Sequence, residues 1–167
     1  MGNLDLVSPT FDTLRQPIHE SSGLTPMSGS PYLVNMDWFC SYLGFNNHRK
    51  ELIEIFLGYI DNLKIFEIKP TFALIGGSFV SDKSEPKDID GVIAYTGSEK
   101  SDFKGIKEIV NRKNIFLDIR LVPEDTGGIY LTKILCYYHE LYSRNRMKGR
   151  TSCVLIDISE LSYASNK

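Results

Sequence analysis

Two aspartates one residue apart, Asp88 and Asp90, follow a Gly76-Gly77-Ser78 segment by about ten residues, and a third, Asp118, interrupts a later apolar run. Side chains alternate across a strand with a period of two, so Asp88 and Asp90 share a face and can share a divalent metal. A charge in the middle of an apolar strand is unfavourable unless something satisfies it, which singles out Asp118. If its strand lies beside the one bearing Asp88 and Asp90, the three carboxylates converge. Hard oxygen ligands favour Mg²⁺ or Mn²⁺, and two ions about 3.5–4 Å apart can clamp an in-line displacement. Gly76-Gly77 would let the backbone approach a triphosphate, and Ser78 would add a hydroxyl contact. Together these parts suit metal-dependent chemistry on a nucleoside triphosphate. No GxxxxGK[ST] sequence is present, so a P-loop NTPase is not expected. Each part also has a plainer reading. Gly-Gly serves as a turn, Asp-x-Asp opens a solvated edge strand, and Asp118 pairs with Arg120 on the same face.

The elements that must position these residues are legible as periodicities. Phe72–Ile75 is an apolar strand before the glycine turn, and Asp88–Tyr95 is the strand after it. Over 115–122, Ile115, Leu117, Ile119 and Leu121 fall on one face, with Phe116, Asp118, Arg120 and Val122 on the other. Leu52, Ile53, Phe56, Leu57, Ile60 and Leu63 form a helical stripe over 48–64, with Asn47 as its cap. Further helices are expected over 34–43, 101–112 and 129–142, the last opened by Gly127-Gly128, and a final strand over 151–158. The prediction is an α+β fold, a small mixed sheet with helices mainly on one face. Residues 1–31, rich in Ser, Pro, Gly and Thr, form a flexible or surface-laid arm, and 32–167 form the domain.

Composition narrows the class. The 167 residues suffice for one domain with a real core. A net charge of −2 gives no overall pull toward nucleic acid or anionic membrane. The one basic cluster, Arg144, Arg146, Lys148 and Arg150, could steer a triphosphate or an RNA acceptor. Lys83 and Lys87, in the loop before the Asp pair, could contact phosphate. Cys40, Cys136 and Cys153 form no CxxC pair and are expected to be buried apolar side chains. Tyr130, Tyr137 and Tyr138 match core-facing spacing on their helix, and Trp38 is expected in the core. With no apolar run of about 18 residues and no signal peptide, the expected location is the cytoplasm, without a membrane partner.

The order strand, Gly-Gly-Ser, Asp-x-Asp, helix, strand with Asp resembles the polymerase-beta-type nucleotidyltransferase superfamily. More closely, Gly77-Ser78-Phe79-Val80-x-x-Lys83-x-x-Pro86-x-Asp88-x-Asp90 is similar to a small nucleotidyltransferase-like family of bacteria and phages. The likeness extends to His48-Arg49-Lys50-Glu51-Leu52 and to Met147-Lys148-Gly149-Arg150, and covers roughly residues 38–158. The resemblance implies a minimal nucleotidyltransferase fold in which Gly77 and Ser78 hold the triphosphate. It implies that Asp88 and Asp90 bind both Mg²⁺ (or Mn²⁺) ions, and that Asp118 completes the first metal site and helps deprotonate the attacking hydroxyl. The expected function is transfer of a nucleoside monophosphate from an NTP to a hydroxyl or phosphate on a protein, RNA or small molecule. By analogy the setting is a toxin–antitoxin pair or phage defence. The alternatives are an inactive nucleotide- or partner-binding module with the same fold and an RNA-binding adaptor.

Overall fold

One mixed sheet organises the molecule, and its register sets the three aspartates. The computed structural model describes residues 8–15, 30–105, 107, 114–145 and 149–159. The strands are β1 (Tyr32–Val34), β2 (Lys69–Gly76), β3 (Ile89–Thr96), β4 (Leu117–Pro123) and β7 (Val154–Asp157), with a separate short pair, β5 (Arg144–Asn145) and β6 (Gly149–Arg150). The sheet order is β1-β7-β2-β3-β4. β7 pairs antiparallel with β2 and β2 antiparallel with β3, while β1–β7 and β3–β4 are parallel. Among the described residues, helices with defined ends are α1 (Phe11–Arg15), α2 (Met36–Tyr42), α3 (Asn47–Ile65) and α4 (Gly128–Tyr142). This is the α+β architecture expected from the sequence.

Alternation along the strands divides the core in two. Ala73, Ile75, Ile89, Ile93, Leu117, Ile119, Val154 and Ile156 point to one side, where Phe39 of α2 and the stripe Leu52, Ile53, Phe56, Ile60 and Leu63 of α3 cover them. Leu74, Val92, Val122 and Cys153 point to the other, under Leu131, Ile134, Leu135, Tyr138 and Tyr142 of α4. Helices α1–α3 therefore share one face, and α4 covers the second. Leu14 of α1, within the N-terminal stretch, is 1 % exposed in the larger core.

Several boundaries differ from the sequence reading. Val34 ends the three-residue β1 instead of starting a helix, and α2 begins at Met36 behind Asn35, whose Oδ1 accepts from Trp38 N at 2.7 Å. Asn46, not Asn47, caps α3, its Oδ1 accepting from Arg49 N at 2.9 Å. β2 begins at Lys69 and takes in Pro70, with a register shift between Pro70 and Phe72. The final strand is shorter than the apolar run that announced it, Val154–Asp157 within 151–158. Of the helix expected over 101–112, residues 103–105 and 107 are helical, and the other half of the span, 106 and 108–112, lies outside the described residues; Phe103 is 54 % exposed.

Candidate active site

The register brings the sequence-predicted residues to one corner of the sheet. Asp90 lies opposite Gly76 of β2 on one side and opposite Asp118 of β4 on the other. Asp90 and Asp118 alternate with residues of the larger core, so both project on the face that carries α4. Asp88 stands one residue before β3 and close enough for its charge to act on Asp90.

Asp90 is the electrostatic centre of this corner. Burial pushes its carboxyl up to about 6, and the neighbouring charges of Asp88 and then Asp118 add to the rise; Lys87 opposes it. Behind Asp90, on the α4 side, the Tyr142 hydroxyl donates to Gly91 O at 3.3 Å. Burial raises the Tyr142 phenol well above its ordinary value, with Asp118 and Asp90 adding to the effect. The Cys153 thiol is pushed up to about 12, mainly by burial and secondarily by Asp90. Neither group is therefore ionised near neutral pH, and both form a low-dielectric wall that strengthens the field at Asp90.

The two glycines before the turn are required by close approach. A Cβ on Gly76 would stand 2.6 Å from Tyr142 Cβ and 2.8 Å from Cys153 Sγ, so the strand end can pass under α4 only without a side chain. Gly77 has φ +66°, and a Cβ there would stand 2.1 Å from Asp90 Oδ2. The Asp90 carboxylate thus lies directly against the backbone of the glycine turn. From there Gly77–Val80 continues as a single 3₁₀ turn carrying half-buried Ser78, and Ser81 Oγ donates to Ser78 O at 2.7 Å. Lys83 and Lys87 are exposed on the following loop.

Asp118 is engaged as well as placed. Arg120 Nη2 is 3.1 Å from its Oδ1, and both side chains are about half exposed. Among the described residues, no group of three or more His, Cys, Asp or Glu side chains is gathered closely enough to hold a metal ion. The register sets Asp90 beside Asp118, with Asp88 one residue ahead of β3, while the Asp118 carboxylate is turned to Arg120. An open groove adjoins this corner between α3 and the β4 edge, with Tyr59, Lys87, Asp88, Phe116 and Asp118 on its walls.

Other expectations fare differently. The inward tyrosines of α4 are Tyr138 and Tyr142; Tyr130 and Tyr137 are 66 % and 62 % exposed. The inward phase follows Leu131, Ile134, Leu135, Tyr138 and Tyr142, the spacing of one helical face. Of the cysteines only Cys153 is buried, while Cys40 is half-buried and Cys136 exposed. Trp38 packs partly against the larger core, stacked on Tyr42 at 5.0 Å between ring centroids. In the basic cluster Arg144 Nη2 lies 3.2 Å from Glu140, and the side chains of Arg146, Lys148 and Arg150 lie outside the described residues. No helix among the described residues is long and apolar enough to cross a membrane.

The sequence reading gave Tyr142, Cys153 and Arg49 no place near this site. For Tyr142 and Cys153 the available signal was helix phase and strand parity, which put both on the face of Asp90. For Arg49 the available signals were its place in the His48–Leu52 likeness and a charge adjacent to the apolar stripe of α3. Compared with known proteins, the chain matches no curated protein and no solved structure. A family match does span residues 11–158, from α1 to just past β7. The chain belongs to that family, DUF6932, a family of unknown function.

Proposed function

We propose that the protein is a metal-dependent nucleotidyltransferase that moves a nucleoside monophosphate from an NTP to a hydroxyl or phosphate acceptor, with pyrophosphate leaving. One observation carries the reading. Asp90, flanked in register by Gly76 and Asp118, rests its carboxylate against the positive-φ Gly77 and is held near pH 6 by burial and by its acidic neighbours.

The donor set suits Mg²⁺ or Mn²⁺. Asp88 and Asp90 would be the main ligands and Asp118 the third, all hard carboxylate oxygens. Their mutual repulsion, felt by Asp90, is what a divalent cation relieves. The Asp118–Arg120 pair does not bar this: an exposed pair contributes less than about 1 kcal/mol, which a dication can displace. Bound metal would supply charge stabilisation on the phosphates and a lower pKa for the acceptor hydroxyl. The chain's own residues would do the rest. Gly76 and Gly77 give backbone access to the phosphates, Ser78 adds a hydroxyl, and Lys83 offsets charge on the leaving pyrophosphate. Asp118 would accept the proton of the attacking hydroxyl, entering from the groove between α3 and β4.

Titration calorimetry with Mn²⁺ and a non-transferable ATP analogue tests the site without needing the acceptor. Metal-dependent analogue binding is expected, and its loss in a folded Asp88→Ala/Asp90→Ala variant. Equal binding by that variant would overturn the assignment. Arg120→Gln is expected to leave Mn²⁺ affinity unchanged or to raise it up to about fivefold, the equivalent of one exposed ion pair. A tenfold loss in that variant would show that Arg120 supports the metal site instead of competing for Asp118.

A further inference from the structure

In the loop that carries Lys83, Lys87 and Asp88, Lys83 N donates to Ser81 Oγ at 3.3 Å. The loop is also tied to the start of α3. Asn46 Nδ2 donates to Ser84 O at 2.8 Å while its Oδ1 caps the helix. His48 Nε2 is 2.7 Å from Pro86 O; a carbonyl only accepts, so Nε2 carries the proton. Arg49 goes deepest. It is fully buried, and its fork donates to Leu43 O, to Phe79 O and, at 2.7 Å, to Lys83 O. Its guanidinium carbon lies 4.5 Å from the Phe79 ring centroid and 4.7 Å from that of Phe45. A buried guanidinium satisfied by main-chain carbonyls and aromatic faces fixes backbone geometry, because its planar donors accept only one arrangement of partners. These three residues reach Phe79, Lys83, Ser84 and Pro86, that is, the end of the 3₁₀ turn and the length of the loop.

We propose that Asn46, His48 and Arg49 are positioning residues that hold the 79–86 loop in its phosphate-facing shape and thereby set affinity for the triphosphate of an NTP. This rests on the nucleotidyltransferase reading for the ligand, but the loop clamp itself does not depend on it. Arg49 also joins α3 to the core, so its variants mix loop and fold. Asn46→Ser keeps a capping oxygen and loses the reach to Ser84, and His48→Ala removes only the bond to Pro86. His48→Gln keeps a donor.

The test is limited tryptic proteolysis followed by mass spectrometry on the full chain, with ATP titrations in Mn²⁺ on the same samples; Lys83 and Lys87 are exposed on the loop. In Asn46→Ser/His48→Ala, cleavage after Lys83 and Lys87 is expected to be at least tenfold faster, with cleavage after Lys64 of α3 unchanged. ATP dissociation constants should rise at least fivefold, and in any transfer assay KM should rise with kcat altered less than twofold. Asn46→Ser/His48→Gln should recover most of both effects. Unchanged cleavage after Lys83 and Lys87 would overturn the clamp. Faster cleavage with unchanged ATP affinity would overturn its link to the ligand. No ATP binding by the wild type, with cleavage responding as expected, would leave the clamp standing and reject the nucleotide reading.

Discussion

Asp90→Asn is expected to raise the melting temperature of the metal-free protein at pH 7.5 while reducing nucleotidyl transfer at least a hundredfold. The two effects share a cause. Burial and the charges of Asp88 and Asp118 lift the Asp90 carboxyl from its ordinary 3.8 to about 6. A carboxyl whose folded pKa is raised binds its proton more tightly folded than unfolded. Its contribution therefore favours folding below about pH 4, and is lost as pH climbs through about 6. At full weight the rise corresponds to about 3 kcal/mol; Asp90 is partly exposed, and solvent screening reduces this to roughly 1–2 kcal/mol. Asparagine removes the charge and keeps the shape, so the gain should be roughly 2–8 °C at pH 7.5 and vanish near pH 4. Mg²⁺ should show the mirror behaviour in the wild type, raising the melting temperature at pH 7.5 and hardly at pH 5, where protons compete for the same oxygens. Scanning calorimetry across pH, with and without Mg²⁺, measures both. A lower melting temperature for the variant at pH 7.5 would mean that Asp90 is held by favourable partners and is not poised for a cation.

Gly77→Ala is the second large effect. The residue sits at φ +66°, where a side chain costs about 1–2 kcal/mol, and the new methyl would stand 2.1 Å from Asp90 Oδ2. The turn and the carboxylate cannot both keep their places. We expect a melting temperature lower by several degrees and NTP affinity reduced at least tenfold. Asp90→Ala in the same chain removes the colliding oxygen. The double variant should then be more stable than the sum of the single changes by about 1 kcal/mol, a coupling within the range for residues in contact. Strict additivity in denaturant unfolding would mean that the carboxylate does not lie against the turn.

The sequence revealed those features that depend on local periodicity. Of the helical stripe Leu52, Ile53, Phe56, Leu57, Ile60 and Leu63, all are buried along α3 except Leu57, which is half-buried. The strict alternation of Leu117, Ile119 and Leu121 gave β4 its faces and put Asp118 and Arg120 together on the other side, where they form an ion pair. Convergence of the three carboxylates depends on the Asp118 strand lying beside the Asp90 strand; the parallel register of β3 and β4 supplies that neighbourhood, while among the described residues the carboxylates are not gathered closely enough to hold a metal ion. Features set by tertiary partners were hidden. Three residues are too few to announce β1, and adjacent Asn46 and Asn47 are equally good caps by type. Neighbouring Tyr137 and Tyr138 left the phase of α4 ambiguous, because a tyrosine is at home on either side of a helix. Arg49 bonds to carbonyls 30 and 34 residues away, and Gly77 needs its missing Cβ because of a carboxylate on the next strand. No spacing within a segment encodes such contacts.

The decisive measurement is label transfer from each of the four α-labelled NTPs in Mg²⁺ or Mn²⁺, with and without host-cell lysate. The wild type is compared with the folded Asp88→Ala/Asp90→Ala variant. Label on a protein, RNA or small molecule with the wild type alone is the expected result, and the labelled species names the acceptor class. NTP binding without transfer under every condition would contradict the enzyme and leave a nucleotide-binding module built on the same carboxylates and glycine turn.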